Sequence, residues 1–120
     1  MQHNRDKKRV NMVTITYTKA TRQLRMNGHA YMAEPGNDII CAACSTLFYT
    51  LCQSIMAEEE AGNLATTPKM EMTKGRAAIR CIPKSEAEAR VDVVYNTVLN
   101  GFNLLAHRYP EFVNLKYKRD

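Results

Sequence analysis

The feature that most constrains the fold is an apolar stripe in the middle of the chain. Apolar residues recur there at steps of three or four, the spacing that places side chains on one face of a helix. These residues are Ile40, Cys44, Leu47, Leu51 and Ile55. We predict a helix that begins at Ile39, where Asn37 or Asp38 can cap it. It should end near Glu60, because three consecutive glutamates and then Gly62 indicate a solvated end.

A second apolar stripe with the same spacing follows in the last third of the chain. Its members are Ala87, Val91, Val94, Val98, Phe102 and Leu105. Ser85 is followed three residues later by Glu88, the pattern of a capping box at a helix start. Tyr109 and Pro110 mark the end, since proline cannot continue a helix. Two helices with one apolar face each need a further layer that covers those faces.

Segments with alternating apolar and polar residues predict that layer. Residues 10–18 alternate in this way and are rich in β-branched side chains, which predicts a strand with one buried face. After a short turn, residues 24–29 continue the alternation as a returning strand. Residues 70–72 and 77–81 form a second such pair around the turn at Lys74-Gly75. The sequence therefore predicts two β-hairpins.

The order of elements is β-β-α-β-β-α, which predicts an α+β fold with an antiparallel sheet covered by two amphipathic helices. We expect a single domain over residues 11–115, with a basic flexible tail at residues 1–10 and a basic tail at 116–120. A weak alternation at residues 112–116 is the one sign of a further strand. Because two helices leave a sheet face or edge uncovered, we also expect a homodimer.

The net charge of +5 is distributed unevenly along the chain. Residues 1–9 hold four basic and one acidic side chain, residues 116–120 hold three and one, and residues 10–115 hold ten of each. Charge in tails more often reflects solvation than recognition, so we expect no direct nucleic-acid binding. No segment approaches the roughly 20 apolar residues of a membrane span, and the N-terminus lacks a signal peptide's apolar core. We therefore expect a cytoplasmic protein with reduced cysteines, away from membranes.

Cys41 is the candidate nucleophile. In the predicted helix it lies in the first turn, where unpaired N–H groups and the positive end of the macrodipole favour a thiolate, the reactive form of cysteine. His29, at a strand exit beside Gly28, can act as its base if the strand exit and the helix start lie side by side. Ser45 lies one turn after Cys41 and can support the thiolate. Asp38 can fix the helix start.

The spacing of Cys41 and Cys44 is also that of a redox motif. A redox pair needs both sulfurs at an exposed helix start, whereas Cys44 belongs to the apolar stripe and should face the core. A zinc site needs four converging ligands, and the chain offers no second close pair, only Cys52 and Cys81, which we interpret as core residues. Cys41 alone would more often be a core residue too. Only its combination with His29 indicates catalysis.

Two sequence motifs surround Cys41. Gly28-His29-Ala30 is followed by residues 36–45, which read Gly-Asn-Asp-Ile-Ile-Cys-Ala-Ala-Cys-Ser. Together they resemble the Prp family of ribosomal-processing cysteine proteases, whose pattern is Gly-His-Ala and then Gly-x-Asp-x-x-Cys-Ala-x-x-Ser. The resemblance covers residues 11–115. It implies a homodimeric, cytoplasmic protease that removes a short N-terminal extension from a large-subunit ribosomal protein, or that acts on a phage capsid or scaffold protein.

The resemblance also implies roles for individual residues. Cys41 is the nucleophile and His29 its base, while Asp38 and Ser45 match positions that the family keeps near the site. The predicted mechanism is acyl transfer without a metal or cofactor, with N–H groups of the helix start stabilising the oxyanion. The loop between the two catalytic residues should close over an extended peptide. Its candidate substrate-contacting residues are Ala30, Tyr31, Pro35, Gly36 and Asn37.

One alternative function remains from the sequence. In it the chain is a non-catalytic ribosome- or RNA-associated α+β module, whose basic tails provide the affinity and whose Cys41 is a core residue. The protease hypothesis and the binding-module hypothesis differ in what Cys41 contacts. A nucleophile must reach solvent and substrate, whereas a core residue need not.

Overall fold

The computed structural model describes residues 12–28, 35–73 and 75–120 of the chain. The predicted tail at 1–10 and residues 29–34 of the predicted loop lie outside this part. The elements, in chain order, are β1 (Val13–Thr18), β2 (Gln23–Asn27), α1 (Pro35–Glu60), β3 (Lys69–Thr73), β4 (Arg76–Arg80), a 3-10 turn (Ser85–Ala87), α2 (Glu88–Arg108) and β5 (Val113–Lys118).

The five strands form one sheet in the order β3-β4-β2-β1-β5. Both predicted hairpins are present, and β2 pairs antiparallel with β4, which joins them. The α+β class and the order β-β-α-β-β-α are confirmed, with a fifth strand after them. β5 pairs with β1 in parallel, from Val13 opposite Val113 to Thr18 opposite Lys118, so the sheet is mixed rather than antiparallel throughout as predicted. The predicted domain boundary at residue 115 therefore falls inside a strand.

Both helices lie on one face of the sheet, and the core fills the space between these layers. The predicted alternation in β1 is confirmed, because Val13, Ile15 and Tyr17 are buried. Cys44, Cys52 and Cys81 are buried as predicted. The main core side chains are Leu24 and Ile79 from the sheet, Ile40, Phe48, Leu51 and Ile55 from α1, and Val91, Tyr95, Val98, Leu99 and Phe102 from α2.

The starts of both helices differ from the predictions. α1 begins at Pro35, four residues before Ile39, so residues 35–37 are helical rather than part of a loop, and Asn37 and Asp38 lie within the first turn rather than cap it. Proline suits a first turn because its missing N–H would have no partner there. The predicted capping box at Ser85 is also wrong. Ala87 precedes α2, and no side chain caps either that helix or the 3-10 turn.

Glu58, near the end of α1, is buried rather than solvated as predicted. Its carboxylate accepts hydrogen bonds from Arg90 Nε at 2.8 Å and from Asn63 Nδ2 at 2.7 Å. These two hydrogen bonds hold the pKa of Glu58 below its ordinary value, and the bond from Arg90 has the larger effect. Together they outweigh burial, which acts in the opposite direction. The end of α1 is thereby tied to α2 and to the loop that follows Gly62.

Replacing Glu58 by alanine should lower the free energy of unfolding by about 2 kcal/mol at pH 7, the range for hydrogen bonds to charged groups. A depressed pKa stabilises the fold above the unfolded-state pKa of about 4.3, and that contribution is lost as the pH falls through the folded-state pKa. Urea unfolding at pH 7 and pH 3.5 should therefore show a smaller difference at the lower pH. Glu59→Ala is the matched control, and an equal loss in both variants would contradict the assignment.

The segment Ile39–Glu60 of α1 is long and apolar enough to cross a membrane, by length and composition only. The prediction that no segment approaches such a length is therefore wrong. The core helix of a globular protein passes the same test, and α1 buries Phe48, Leu51 and Ile55 against the sheet. The apolar side chains of α1 therefore pack the helical layer against the sheet in this fold.

Candidate active site

A small pocket lies between the N-terminal half of α1 and the tip of the β3–β4 hairpin. Ser45 and Tyr49 enter it from the helix, Gly28 from the exit of β2, and Thr73 and Arg76 from the hairpin. The remaining described lining residues are Met26, Phe48, Met72, Gly75 and Ala77. The pocket therefore joins the residue before His29 to the helix that carries Cys41.

Gly28 occupies a position that only glycine fits. Its φ is +79°, a left-handed conformation that side chains rarely adopt. An added Cβ would also overlap the carbonyl oxygen of Met12. The Gly28 N–H donates to the Gly75 carbonyl at 3.0 Å, which ties the exit of β2 to the hairpin tip. The backbone is thereby held in place immediately before His29.

Cys41 lies in the second turn of α1 and is half-buried. It is six residues beyond Pro35, or about 9 Å along the axis at 1.5 Å per residue. The prediction that it lies in the first turn is therefore wrong, and the effect of a helix dipole falls off within that turn. Ser45 follows one turn later and is half-buried in the pocket wall. Ser45, Phe48 and Tyr49 are the described residues of α1 that line the pocket, and Cys41 is not among them.

Cys44 is distinct from Cys41 in its surroundings. It is 1% exposed. Burial, and to a smaller extent the electrostatic effect of Cys41, raises the pKa of the Cys44 thiol to about 12. A thiol that stays protonated at neutral pH is a poor partner for disulfide exchange, since the thiolate is the reacting form. Burial likewise raises the pKa of Cys52 to about 11. This burial argues against a redox pair.

Some of the predicted site residues lie within the described part of the chain and others do not. His29, Ala30 and Tyr31 lie outside the described residues. Of the described segments, Gly28 and Ser45 come together at the pocket, while residues 35–38 form the first turn of α1. No group of three His, Cys, Asp or Glu side chains suits a metal ion within the described ranges.

Sequence reasoning missed the contribution of the second hairpin to this site. Thr73, Gly75 and Arg76 line the pocket because Arg76 pairs with Asn27, next to Gly28. Tyr49 was also missed, although its position two turns after Cys41 was a usable signal. The hairpin residues could not be found in this way, since no local pattern states that β4 pairs with β2.

The chain is similar to known proteins over most of its length. The sequence profile of the family described as cysteine protease Prp matches residues 10–114. The ribosomal processing cysteine protease Prp of Mycoplasma pneumoniae is 26% identical over 110 residues, which cover 88% of this chain and 96% of that protein.

Two solved structures share both fold and sequence with the chain. SMU.848 from Streptococcus mutans superimposes with a TM-score of 0.67 at 27% identity, covering 93% of this chain and 98% of that one. The essential ribosomal processing protease Prp from S. aureus, in complex with a covalently linked product peptide, gives a TM-score of 0.65 at 25% identity, covering 89% and 98%. With the family profile matched from residue 10 to 114, the chain belongs to the Prp family and is a cysteine protease.

Proposed function

We propose that the chain is an endopeptidase that removes the N-terminal extension of a bacterial large-subunit ribosomal protein, with Cys41 as nucleophile and His29 as base. A phage capsid or scaffold protein is the second candidate substrate from the sequence resemblance. One observation carries the proposal above the others. A single pocket is lined by Gly28, directly before His29, and by Ser45, one turn after Cys41. The Mycoplasma pneumoniae relative is a ribosomal processing protease, which supports the substrate class.

The proposed chemistry is acyl transfer. The Cys41 sulfur attacks the carbonyl carbon of the scissile peptide bond after His29 takes the thiol proton. His29 then gives that proton to the leaving amine, the C–N bond breaks, and water hydrolyses the thioester to regenerate the thiol. The N–H groups at the helix start are not part of the proposed mechanism, although the sequence predicted that they stabilise the oxyanion. The helix starts more than one turn before Cys41, so these groups lie too far from the sulfur. The mechanism uses no metal or cofactor.

The substrate would lie as an extended peptide between α1 and the hairpin tip. Ser45 and Thr73 offer hydroxyl groups there, and Tyr49 and Met72 offer partly exposed apolar surface, at 56% and 47% exposure. These four residues suit a few small or apolar substrate side chains, while Arg76 adds one positive charge to the lining. A homodimer in the cytoplasm remains part of the proposal. β3 is an edge strand of the sheet in the described residues, and its outer edge is a surface that a second copy can cover.

Replacing His29 by glutamine should reduce cleavage of a synthetic peptide that spans the extension junction of a ribosomal protein. The expected loss is roughly 10²- to 10⁴-fold, the usual contribution of a general base. His107→Gln is the matched control, because His107 is exposed near the end of α2. The assay measures kcat/KM by chromatography of the products. Equal rates for the two variants would remove His29 from the mechanism, and no cleavage by the unmodified protein would refute the substrate class.

A further inference from the structure

The face of the sheet that points away from the helices carries a concentration of positive charge. Along each strand, side chains alternate between the core and this open face. The basic residues on the open face that do not line the pocket are Arg25, Lys69, Arg80, Lys116 and Lys118. Glu71 is the one acidic side chain among the described residues of this face. Five strands at about 4.8 Å spacing make the face roughly 20 Å wide.

The neutral sum over residues 10–115 conceals a separation of charge between the two layers. The end of α1 carries Glu58, Glu59 and Glu60, and the start of α2 carries Glu88 and Asp92. The acids thus lie in the helical layer, while the cations cover the opposite surface. Charge summed along the chain, which places the excess of cations in the tails, does not show this separation.

Among the described residues, no cation of the open face takes part in an ion pair, and Glu71 is the one carboxylate beside these cations. The ion pairs found in the described residues, Arg22 with Asp92 and Arg90 with Glu58, lie away from this face. Lys69 is directly opposite Arg80 across two antiparallel strands, and like charges so placed destabilise a sheet. Arg25 pairs in register with Ala78, so it is diagonal to Arg80. An anionic partner would remove this repulsion.

The neutral residues of the face indicate what kind of anion fits. Thr14, Thr16 and Thr18 run along β1 between the cations, and hydroxyl groups of this kind donate hydrogen bonds to phosphate oxygens. Aromatic and large aliphatic side chains are absent from the open-face positions of the five described strands, and Ile82 just beyond β4 is the one large exposed aliphatic side chain beside Lys69 and Arg80 in the described residues. The strands therefore offer no apolar surface to insert into a membrane or to anchor a folded protein partner. They also lack the aromatic platforms on which single-stranded bases stack.

We propose that this open face binds the phosphate backbone of structured RNA. RNA is the expected nucleic acid because a protease of ribosomal proteins meets its substrate beside RNA, and in this respect the inference rests on the proposed function. The face lies on the surface opposite α1, so RNA and a peptide in the pocket can be held at the same time. Recognition through phosphates is independent of sequence and strongly dependent on salt.

The test compares two double variants of equal net charge. R80Q/K116Q removes two cations from the open face, and K84Q/R108Q removes two exposed cations from elsewhere. Fluorescence anisotropy with a labelled RNA hairpin is measured between 50 and 200 mM salt. If each of the five open-face cations neutralises one phosphate, the unmodified protein should show a slope of log affinity against log salt of about −4.5, since each neutralised phosphate contributes about 0.9. R80Q/K116Q should reduce the magnitude of that slope by about 2, while K84Q/R108Q leaves it unchanged.

Equal effects of the two double variants would overturn the proposal and assign RNA affinity to charge elsewhere. Tighter binding to anionic lipid vesicles, to a polyglutamate peptide or to a DNA duplex of the same length than to the RNA hairpin would also overturn it. Thermal unfolding checks that both variants fold. Cleavage of the short peptide is measured in parallel and should be unchanged in R80Q/K116Q, so a failure of the RNA inference is distinguishable from a failure of the proposed protease substrate.

Discussion

Replacing Cys41 by alanine is expected to reduce peptide cleavage by about 10⁴-fold or more, because the nucleophile of the acyl transfer is removed. Cys41 is half-buried, so the free energy of unfolding should change by only about 1 kcal/mol. The measurement is kcat/KM for the junction peptide together with urea unfolding of both proteins. Loss of activity with retained stability separates a nucleophile from a core residue.

Cys44→Ala is the matched control for this experiment. Cys44 is one turn further along the same helix and 1% exposed, so its replacement should leave a small cavity and destabilise the fold by about 1 to 2 kcal/mol. Cleavage should remain within a few-fold of the unmodified protein. The opposite pattern, in which Cys44→Ala is inactive and Cys41→Ala is active, would contradict the assignment of the nucleophile.

The Gly28→Ala substitution should cause a large loss of stability, about 3 kcal/mol or more. Part of the cost is the left-handed backbone at φ +79°. The rest is the overlap of the new Cβ with the carbonyl oxygen of Met12, a backbone atom that cannot move without disturbing β1. Urea unfolding measures the effect, and cleavage should fall with it, since the hydrogen bond to Gly75 positions this side of the pocket.

Gly62→Ala separates the two causes. Gly62 has nearly the same φ, +81°, but an added Cβ there meets nothing within 4 Å. Its replacement should therefore cost only the backbone term, about 1 kcal/mol. If both substitutions destabilise the protein equally, close packing at Gly28 is not a determinant of the fold.

Much of the fold was predictable because its signals are local. The apolar stripe with Ile40, Leu51 and Ile55 and the alternation in β1 each depend on residues near one another in sequence. The parallel pairing of β5 with β1 was not predictable, since it joins the two ends of the domain. The buried role of Glu58 also depends on a distant residue, Arg90, which lies 32 positions away.

The candidate site also combines residues that local motifs predict with residues that only long-range strand pairing brings in. Gly28, Cys41 and Ser45 lie in two short motifs, so the sequence alone could predict them. Gly28 and Ser45 line the described pocket, and the role of Cys41 stays a prediction. Thr73 and Arg76 enter the pocket only through the long-range pairing of β4 with β2, which no local pattern encodes. The start of α1 was placed too late because Pro35 and Gly36 suggest a loop, whereas proline is also well suited to a first helical turn.

The central claim is that the sulfur of Cys41 forms the covalent bond to the substrate acyl group. The most direct measurement treats the protein with a junction peptide that carries a thiol-reactive group in place of the scissile bond, and locates the adduct by tandem mass spectrometry. The account predicts one peptide attached to Cys41, with Cys44, Cys52 and Cys81 unmodified. An adduct on any of those three cysteines, with Cys41 unmodified, would contradict it.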